Sequence, residues 1–338
     1  MPTPSATSPE NPSAVTGLLK KTSKEGLKTY HHSNSVEGLS SITSLIVGSE
    51  GCVVIDAPFL IPDGKAVVKW IQEITSVPVV AIFATHHHPD HYFSANALLE
   101  QWPKASFLAA PYVRAGIDRE YDDKIIYWPT VFGDKVYTHP AKPEPYPYSF
   151  FIIPGEAQSP VVLIGPVQGD TVDHSMFYLP KEKTLITGDC MYGESIHLWA
   201  EEIETRSVLE AWRNIIDFIE SLDLDKVIPG HSSAGTLLNT ATNIEHNRKY
   251  LDLFAESISY NEKKLPADEL KEKFSTAFPK CKENLDFFLG MLTSHYAKGG
   301  QAWPENAHHN IPGRTSEGLE SFVLTNKARL EAKESENK

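Results

Sequence analysis

Residues 79–91 constrain this chain more than any other stretch. Val79-Val80-Ala81-Ile82-Phe83-Ala84 is an apolar run, rich in β-branched residues and shorter than a typical helix, so it reads as a buried strand. Directly behind it stands Thr85-His86-His87-His88-Pro89-Asp90-His91, with donors in H-x-H-x-D-H spacing. The polar side chains therefore leave the C-terminal end of a strand on a loop, where imidazole nitrogens and a carboxylate can converge. Such a donor set suits zinc or a similar first-row divalent ion. His87 falls between two donor positions and is expected to point away from them.

Two later strand ends carry the same kind of signal. Thr184-Leu185-Ile186-Thr187-Gly188-Asp189 sets an aspartate just past an apolar strand, and Lys226-Val227-Ile228-Pro229-Gly230-His231 does so with a histidine. With the cluster they complete a two-metal set in which Asp189 can bridge, since a shared carboxylate suits two cations roughly 3.5–4 Å apart.

Around these arms, 44–47 and 52–55 flank the turn residues Gly48-Ser49-Glu50-Gly51 as a hairpin, and Asp56 closes the second strand. Helical spacing of Ala66, Val67, Trp70, Ile71 and Ile74 predicts a helix over 64–76. A helix over 93–102 and a strand over 106–110 follow. Residues 112–148 read as a helix and an irregular insertion bordering the site. Strands are expected at 150–153, 161–164, 176–179 and 184–187, a helix at 206–222, and a wholly helical region beyond Thr236. Alternating strands and helices point to an α/β layered fold. The expected division is a disordered tail over 1–16, a main domain over 17–235 and a helical extension over 236–338, the last either a subdomain or a dimerisation element.

Composition narrows the partners. A formal charge of −13 speaks against nucleic acid. No window approaches the roughly 18 apolar residues of a membrane span. The Pro/Ser/Thr-rich start lacks the order of a signal peptide. Cys52, Cys190 and Cys281 are odd in number and widely spaced, which gives no disulfide framework and fits a reducing, cytoplasmic setting. A small-molecule substrate is the expected partner, with a homodimer possible.

H-x-H-x-D-H, then G-D after a strand, then V-I-P-G-H, in that order, resembles the metallo-β-lactamase superfamily over about residues 40–235. The resemblance implies a four-layer αβ/βα sandwich with two divalent ions, of which zinc is the expected species, in the cleft between sheet edges. Carried over by motif, His86 and His88 would hold the first metal, Asp90, His91 and His231 the second, and Asp189 would bridge. One arm departs from the pattern. Where the family supplies a histidine as G-H-T, this chain has Gly169-Asp170-Thr171-Val172-Asp173-His174. Either Asp170 ligates directly, as the ungapped alignment favours, or the loop shifts so that His174 takes that place. Aspartate at 189 sets the chain apart from the β-lactamases that carry cysteine there. His88 stands where di-iron flavoprotein relatives have glutamate.

Two cations sharing a water lower its pKa and polarise a carbonyl. Asp90 can orient that water and carry a proton. Tyr192, at the spacing where lactonase-like members have a tyrosine, could donate to a developing oxyanion. Glu194 and His197 on the same loop are candidate pocket residues, although a loop histidine capping backbone carbonyls is the plainer reading of His197. Trp128, Tyr146, Tyr148 and Trp199 are candidates for an apolar wall, although core packing is the plainer reading, and His139, His246, His295, His308 and His309 are expected on the surface. Asp56 is the expected acceptor that fixes the metal loop. The activity implied is opening of a small cyclic amide or ester, lactam or lactone equally. The G-D-x-V-D-H arm resembles fungal-type members and hints at detoxification of small lactams such as benzoxazolinones. Thioester hydrolysis, persulfide oxidation by a single iron, and non-catalytic binding are the alternatives.

Overall fold

The computed structural model describes residues 26–203, 205–259 and 264–297. The expected tail over 1–16, the charged stretch from Ala328, and His308 and His309 lie outside the described residues, and the His295 side chain is likewise not described.

Two mixed sheets carry the site. The first runs β1 (Lys28–Ser33), β2 (Ile42–Val47), β3 (Cys52–Ile55), β4 (Val79–Ala84), β5 (Ser106–Ala109) and β6 (Glu144–Pro145), in that spatial order. The hairpin β2–β3 is antiparallel with Val47 opposite Cys52, while β3, β4 and β5 run parallel. Between them stand α1 (Ile61–Ile74), α2 (Ala95–Gln101) and, after β5, the long α3 (Pro111–Phe132). The second sheet has the order β11 (Lys226–His231), β10 (Thr184–Tyr192), β9 (His174–Leu179), β8 (Val161–Val167) and β7 (Phe150–Phe151). α4 (Arg206–Ser221) links β10 to the parallel β11, and α5 (Thr240–Phe254), α6 (Ala267–Ala277) and α7 (Leu285–Ala297) follow.

Strand alternation builds the layers. Val53, Ile55, Ala81 and Phe83 form one core with Val161, Phe177, Ile186 and Ile228 of the other sheet. The Phe83 ring lies 5.4 Å from Phe177 across that gap. The intervening Val54, Ile82 and Ala84 join a second core with Val67 and Ile71 of α1 and Leu98 of α2. On the far side, Leu185 and Val227 share that core with Leu209, Trp212 and Ile216 of α4 and with Leu251 of α5. Each such buried valine, leucine, isoleucine or phenylalanine contributes about 1.5–3 kcal/mol. The result is the helix–sheet–sheet–helix sandwich that the resemblance implied, with a helical C-terminal region. No helix among the described residues is long and apolar enough to cross a membrane.

Polar ends make the helices stop and start where they do. Thr205 caps α4 by accepting from Val208 N at 3.2 Å, and Asn239 caps α5 by accepting from Thr242 N at 3.0 Å. At the carboxyl ends of β3 and β4 the sheets are pinned together, Ser41 bridging to His231 and Ser232 N donating to Ser40 O at 3.1 Å.

Candidate metal centre

Both motif glycines are there for space. Gly188 has a φ of +50°, and a Cβ on it would stand 2.6 Å from Thr85 Oγ1. This is where the β10–β11 register breaks, so β10 runs on to Tyr192 with Asp189 inside it rather than just past its end. A Cβ on Gly230 would fall 1.8 Å from Asp189 Oδ1. The two glycines together let that carboxylate turn inward between the strands.

The predicted donors converge in two sets. His86, His88, Asp170 and Asp189 each bring one donor atom within 4.8 Å of the others, and Asp90, His91 and His231 do the same. Asp189 reaches across both, with Oδ2 3.1 Å from His231 Nε2 and 3.9 Å from His86 Nε2, and Oδ1 3.3 Å from His91 Nε2. All but His88 are buried.

Hydrogen bonds fix which nitrogen of each ring faces the cluster. A carbonyl only accepts, so His231 Nδ1 donates to Leu39 O at 2.8 Å. His91 Nδ1 donates to Asp56 Oδ2 at 2.9 Å. Thr85 Oγ1 donates to the same Asp56 oxygen and so accepts from His86 Nδ1, both at 2.9 Å. In the neutral rings three Nε2 lone pairs are then aimed inward. His91 and His231 face each other at 3.3 Å, and His86 Nε2 is buried with no hydrogen-bond partner. Lone pairs opposed in this way call for a cation between them.

The electrostatics say the same. Burial opposes charge on every ring. The carboxylates of Asp170 and Glu202 nevertheless raise His88 well above its ordinary range, and those of Asp189, Asp90 and Asp56 do so for His91. Asp189 and Asp90 likewise raise His231 to about 10. His86, with no carboxylate nearer than 3.9 Å, is driven well below its usual value by burial and the neighbouring rings. The buried carboxylates around these rings thus favour positive charge among them, which a divalent ion would supply in place of ring protons.

On the variant arm, Asp170 is the residue inside the donor set. His174 lies behind it, donating from Nε2 to Asp170 Oδ1 at 2.8 Å and stacking on His86 with centroids 4.1 Å apart. The Tyr192 hydroxyl lies 2.6 Å from Asp189 Oδ2 and 2.9 Å from Asp170 Oδ2, its ring stacked on His231 at 5.1 Å. Burial and those two carboxylates push the phenol well above its ordinary range, so it stays a donor. Asn247 of α5 clamps the Tyr192 backbone from both sides, at 3.0 and 2.7 Å. His87 turns to Glu120 of α3, 2.9 Å away, as its place in the motif suggested.

The cluster floors a cavity of about 330 Å³. Its walls are Phe59, the α3 residues Glu120, Asp123, Lys124, Tyr127 and Trp128, then Trp199 and Glu202, and finally Phe287, Phe288 and Met291 of α7. The insertion after β5 does border the site. So does α7, which the sequence did not indicate. Trp128 and Trp199 do line the cavity, where core packing was the plainer expectation, but Tyr146 does not. It packs at 5.3 Å on Phe83 and on Tyr148, which is itself exposed.

Three other expectations are corrected. Glu194 pairs with Lys280 at 2.6 Å, outside the cavity. His197 is 0% exposed and caps no carbonyl, its ring lying 5.7 Å from Tyr250 and 6.3 Å from Phe278. His246 is buried rather than superficial and donates to Ile196 O at 3.0 Å. Burial lowers both histidines to about 4 from 6.5. The unfolded chain takes up protons near 6.5 and the native chain only near 4, so this stability is complete above pH 6.5 and is lost as pH falls toward 4. The loss should reach roughly 3 kcal/mol per ring. Urea midpoints across that window should fall with acid and do so less steeply in His197→Phe. An identical slope in the variant would refute the assignment.

Two sheets packed face to face, with histidines and aspartates gathered where their strands end, define an α/β protein with residues that could hold metal at one edge of the sandwich. The sequence profile described as the Metallo-beta-lactamase superfamily matches residues 37–231, more than half of the chain, which belongs to that superfamily. Among solved structures it is similar to the metallo-β-lactamase from Pontibacter korlensis, 18% identical over 67% of this chain and 94% of that one, with a TM-score of 0.46. It is also similar to the metallo-β-lactamase IND-7, 18% identical over 68% of this chain and 94% of that one, with a TM-score of 0.48. No curated protein matches the chain.

Proposed function

We propose that this chain is a metal-dependent hydrolase that opens a small cyclic amide or ester. The observation that carries the reading is the pair of adjacent donor sets, Asp189 of the first lying 3.1 Å from His231 and 3.3 Å from His91 of the second, at the floor of a largely apolar cavity. His86, His88 and Asp170 would hold one ion, Asp90, His91 and His231 the other, and Asp189 would lie between them. Hard carboxylate and borderline imidazole donors together fit zinc. Two divalent ions bound there would lower the pKa of a shared water and polarise the carbonyl under attack.

The chain's own residues supply the rest. Asp90 lies at the cavity edge of the cluster, placed to take a proton and pass it to the leaving nitrogen or oxygen. Tyr192 holds a protonated phenol on Asp189 at the floor, and turning that one proton from the carboxylate to the carbonyl oxygen would meet the negative charge that develops there. Aromatic walls of this size suit a compact, largely apolar ring rather than a polymer. Three free, buried cysteines suit a reducing compartment, and we place the protein in the cytoplasm.

Elemental mass spectrometry on protein purified without chelators should find two zinc ions per chain. A panel of lactams, lactones and thioesters should then show turnover of a cyclic substrate that a chelator abolishes and zinc restores. A single iron with oxygen uptake on persulfide would replace this reading with a dioxygenase. Metal-loaded protein inert on the whole panel would leave a binding protein.

A further inference from the structure

His88 is held differently from the other three rings. His86, His91 and His231 are each fixed at Nδ1 by the body of the first sheet, through Thr85, Asp56 and the Leu39 carbonyl. His88 instead turns Nδ1 to the cluster, 3.1 Å from Asp170 Oδ2, and is held at Nε2 by Glu202 Oε1 at 3.0 Å. Glu202 is 4% exposed and lies 114 residues further along the chain. It is also part of the cavity wall. The same carboxylate oxygen lies 3.4 Å from Trp199 Nε1, and the Trp199 ring stacks on Phe287 of α7 with centroids 5.2 Å apart at 25°.

We propose that Glu202 is a positioning residue for the His88 half of the metal centre, and that through Trp199 it ties that half to the wall of the cavity. An anionic acceptor on Nε2–H selects the tautomer whose Nδ1 lone pair faces the cluster, fixes the ring plane, and strengthens the nitrogen as a donor. The tie is two-way. A buried indole N–H needs an acceptor, so Trp199 takes its place on the wall from the same oxygen that sets His88. In the other half His91 is held by Asp56, which lines no part of the cavity, and His231 by the backbone carbonyl of Leu39 rather than by a side chain of the wall. Within the His88 half, therefore, His86 is held from the sheet end through Thr85 and His88 from a carboxylate of the cavity wall.

The proposal rests on the reading that the cluster holds metal, but not on hydrolysis. Its test is a zinc titration of the full chain against a chromophoric chelator, alongside the thermal midpoint of the metal-free protein. Glu202→Ala should weaken one zinc equivalent by about 10–100-fold and leave the other unchanged. Glu202→Gln, which keeps an acceptor oxygen without the charge, should fall in between with an unaltered midpoint. Trp199→Phe should give a smaller, equally selective loss. Wild-type affinity for both equivalents in Glu202→Ala and Glu202→Gln would overturn the proposal, and so would equal weakening of both. A chain that takes up a single zinc tests it as well, since affinity unchanged by Glu202→Ala overturns it and affinity lost supports it. Selective zinc loss in a protein inert on every ester and amide would sink the hydrolase reading alone.

Discussion

If the chain is the hydrolase proposed above, Asp90→Ala should lower turnover of its substrate by about 10²–10⁴-fold, the range for removing a positioned proton carrier. Two losses are combined in that variant. Asp90 Oδ2 lies 3.3 Å from His231 Nε2 and 3.6 Å from His91 Nε2, so its removal takes a donor from the second set. Burial opposes its charge, yet the facing His91 and His231 hold its carboxyl below the ordinary range, which keeps it ionised. Asp90→Asn separates the two roles because it retains an oxygen of the same reach with no basicity. Zinc content near wild type with turnover down by the same factor would assign the loss to proton transfer. Zinc content halved would assign it to the lost donor. Full turnover in either variant would remove Asp90 from the mechanism.

Much of this centre could be read from the sequence because short spacing and strand ends carry it. The run 79–84 is β4 to the residue, and the metal loop begins where its hydrophobic period stops. The arms at 189 and 231 were visible as polar residues after apolar strands, although the strand around Asp189 continues past it. Hydropathy does not encode that continuation. It depends on a register break at Gly188, where only backbone geometry and the approach of Thr85 matter.

What was missed has equally physical reasons. β1, Lys28–Ser33, pairs only with β2 at the sheet edge and is half-buried, so its polar sequence shows no apolar alternation. Glu202 carries no motif and meets His88 only through the tertiary fold. α7 was legible as a helix, but not as the one that sets Phe287 and Phe288 against the cavity. His246 did leave a signal that went unread. It lies among Asn243, Asn247 and Tyr250, the buried face of α5 at helical spacing.

Asp56→Asn should weaken both metal equivalents, where Glu202 variants weaken one. The Asp56 carboxylate accepts from Thr85 N at 2.7 Å, from Thr85 Oγ1 at 2.9 Å and from His91 Nδ1 at 2.9 Å. Through Thr85 it sets His86, and directly it sets His91, so one buried group orients a ring in each set. Its own φ of +64° is a left-handed conformation that aspartate and asparagine tolerate better than alanine. Asparagine therefore isolates the electronic change from backbone strain. The amide keeps one acceptor oxygen but turns an N–H₂ toward donors that had a carboxylate, leaving at least one of three buried donors without a partner. That should cost about 1–3 kcal/mol of folding stability and about 10–100-fold in affinity at each metal. Excess zinc should recover part of the stability by mass action, since it binds only the native chain. Urea unfolding with zinc and with chelator measures both effects on one sample. If Asp56→Asn binds two zinc ions as tightly as the wild type, the loop is held by its own turn geometry and the carboxylate beneath it is dispensable.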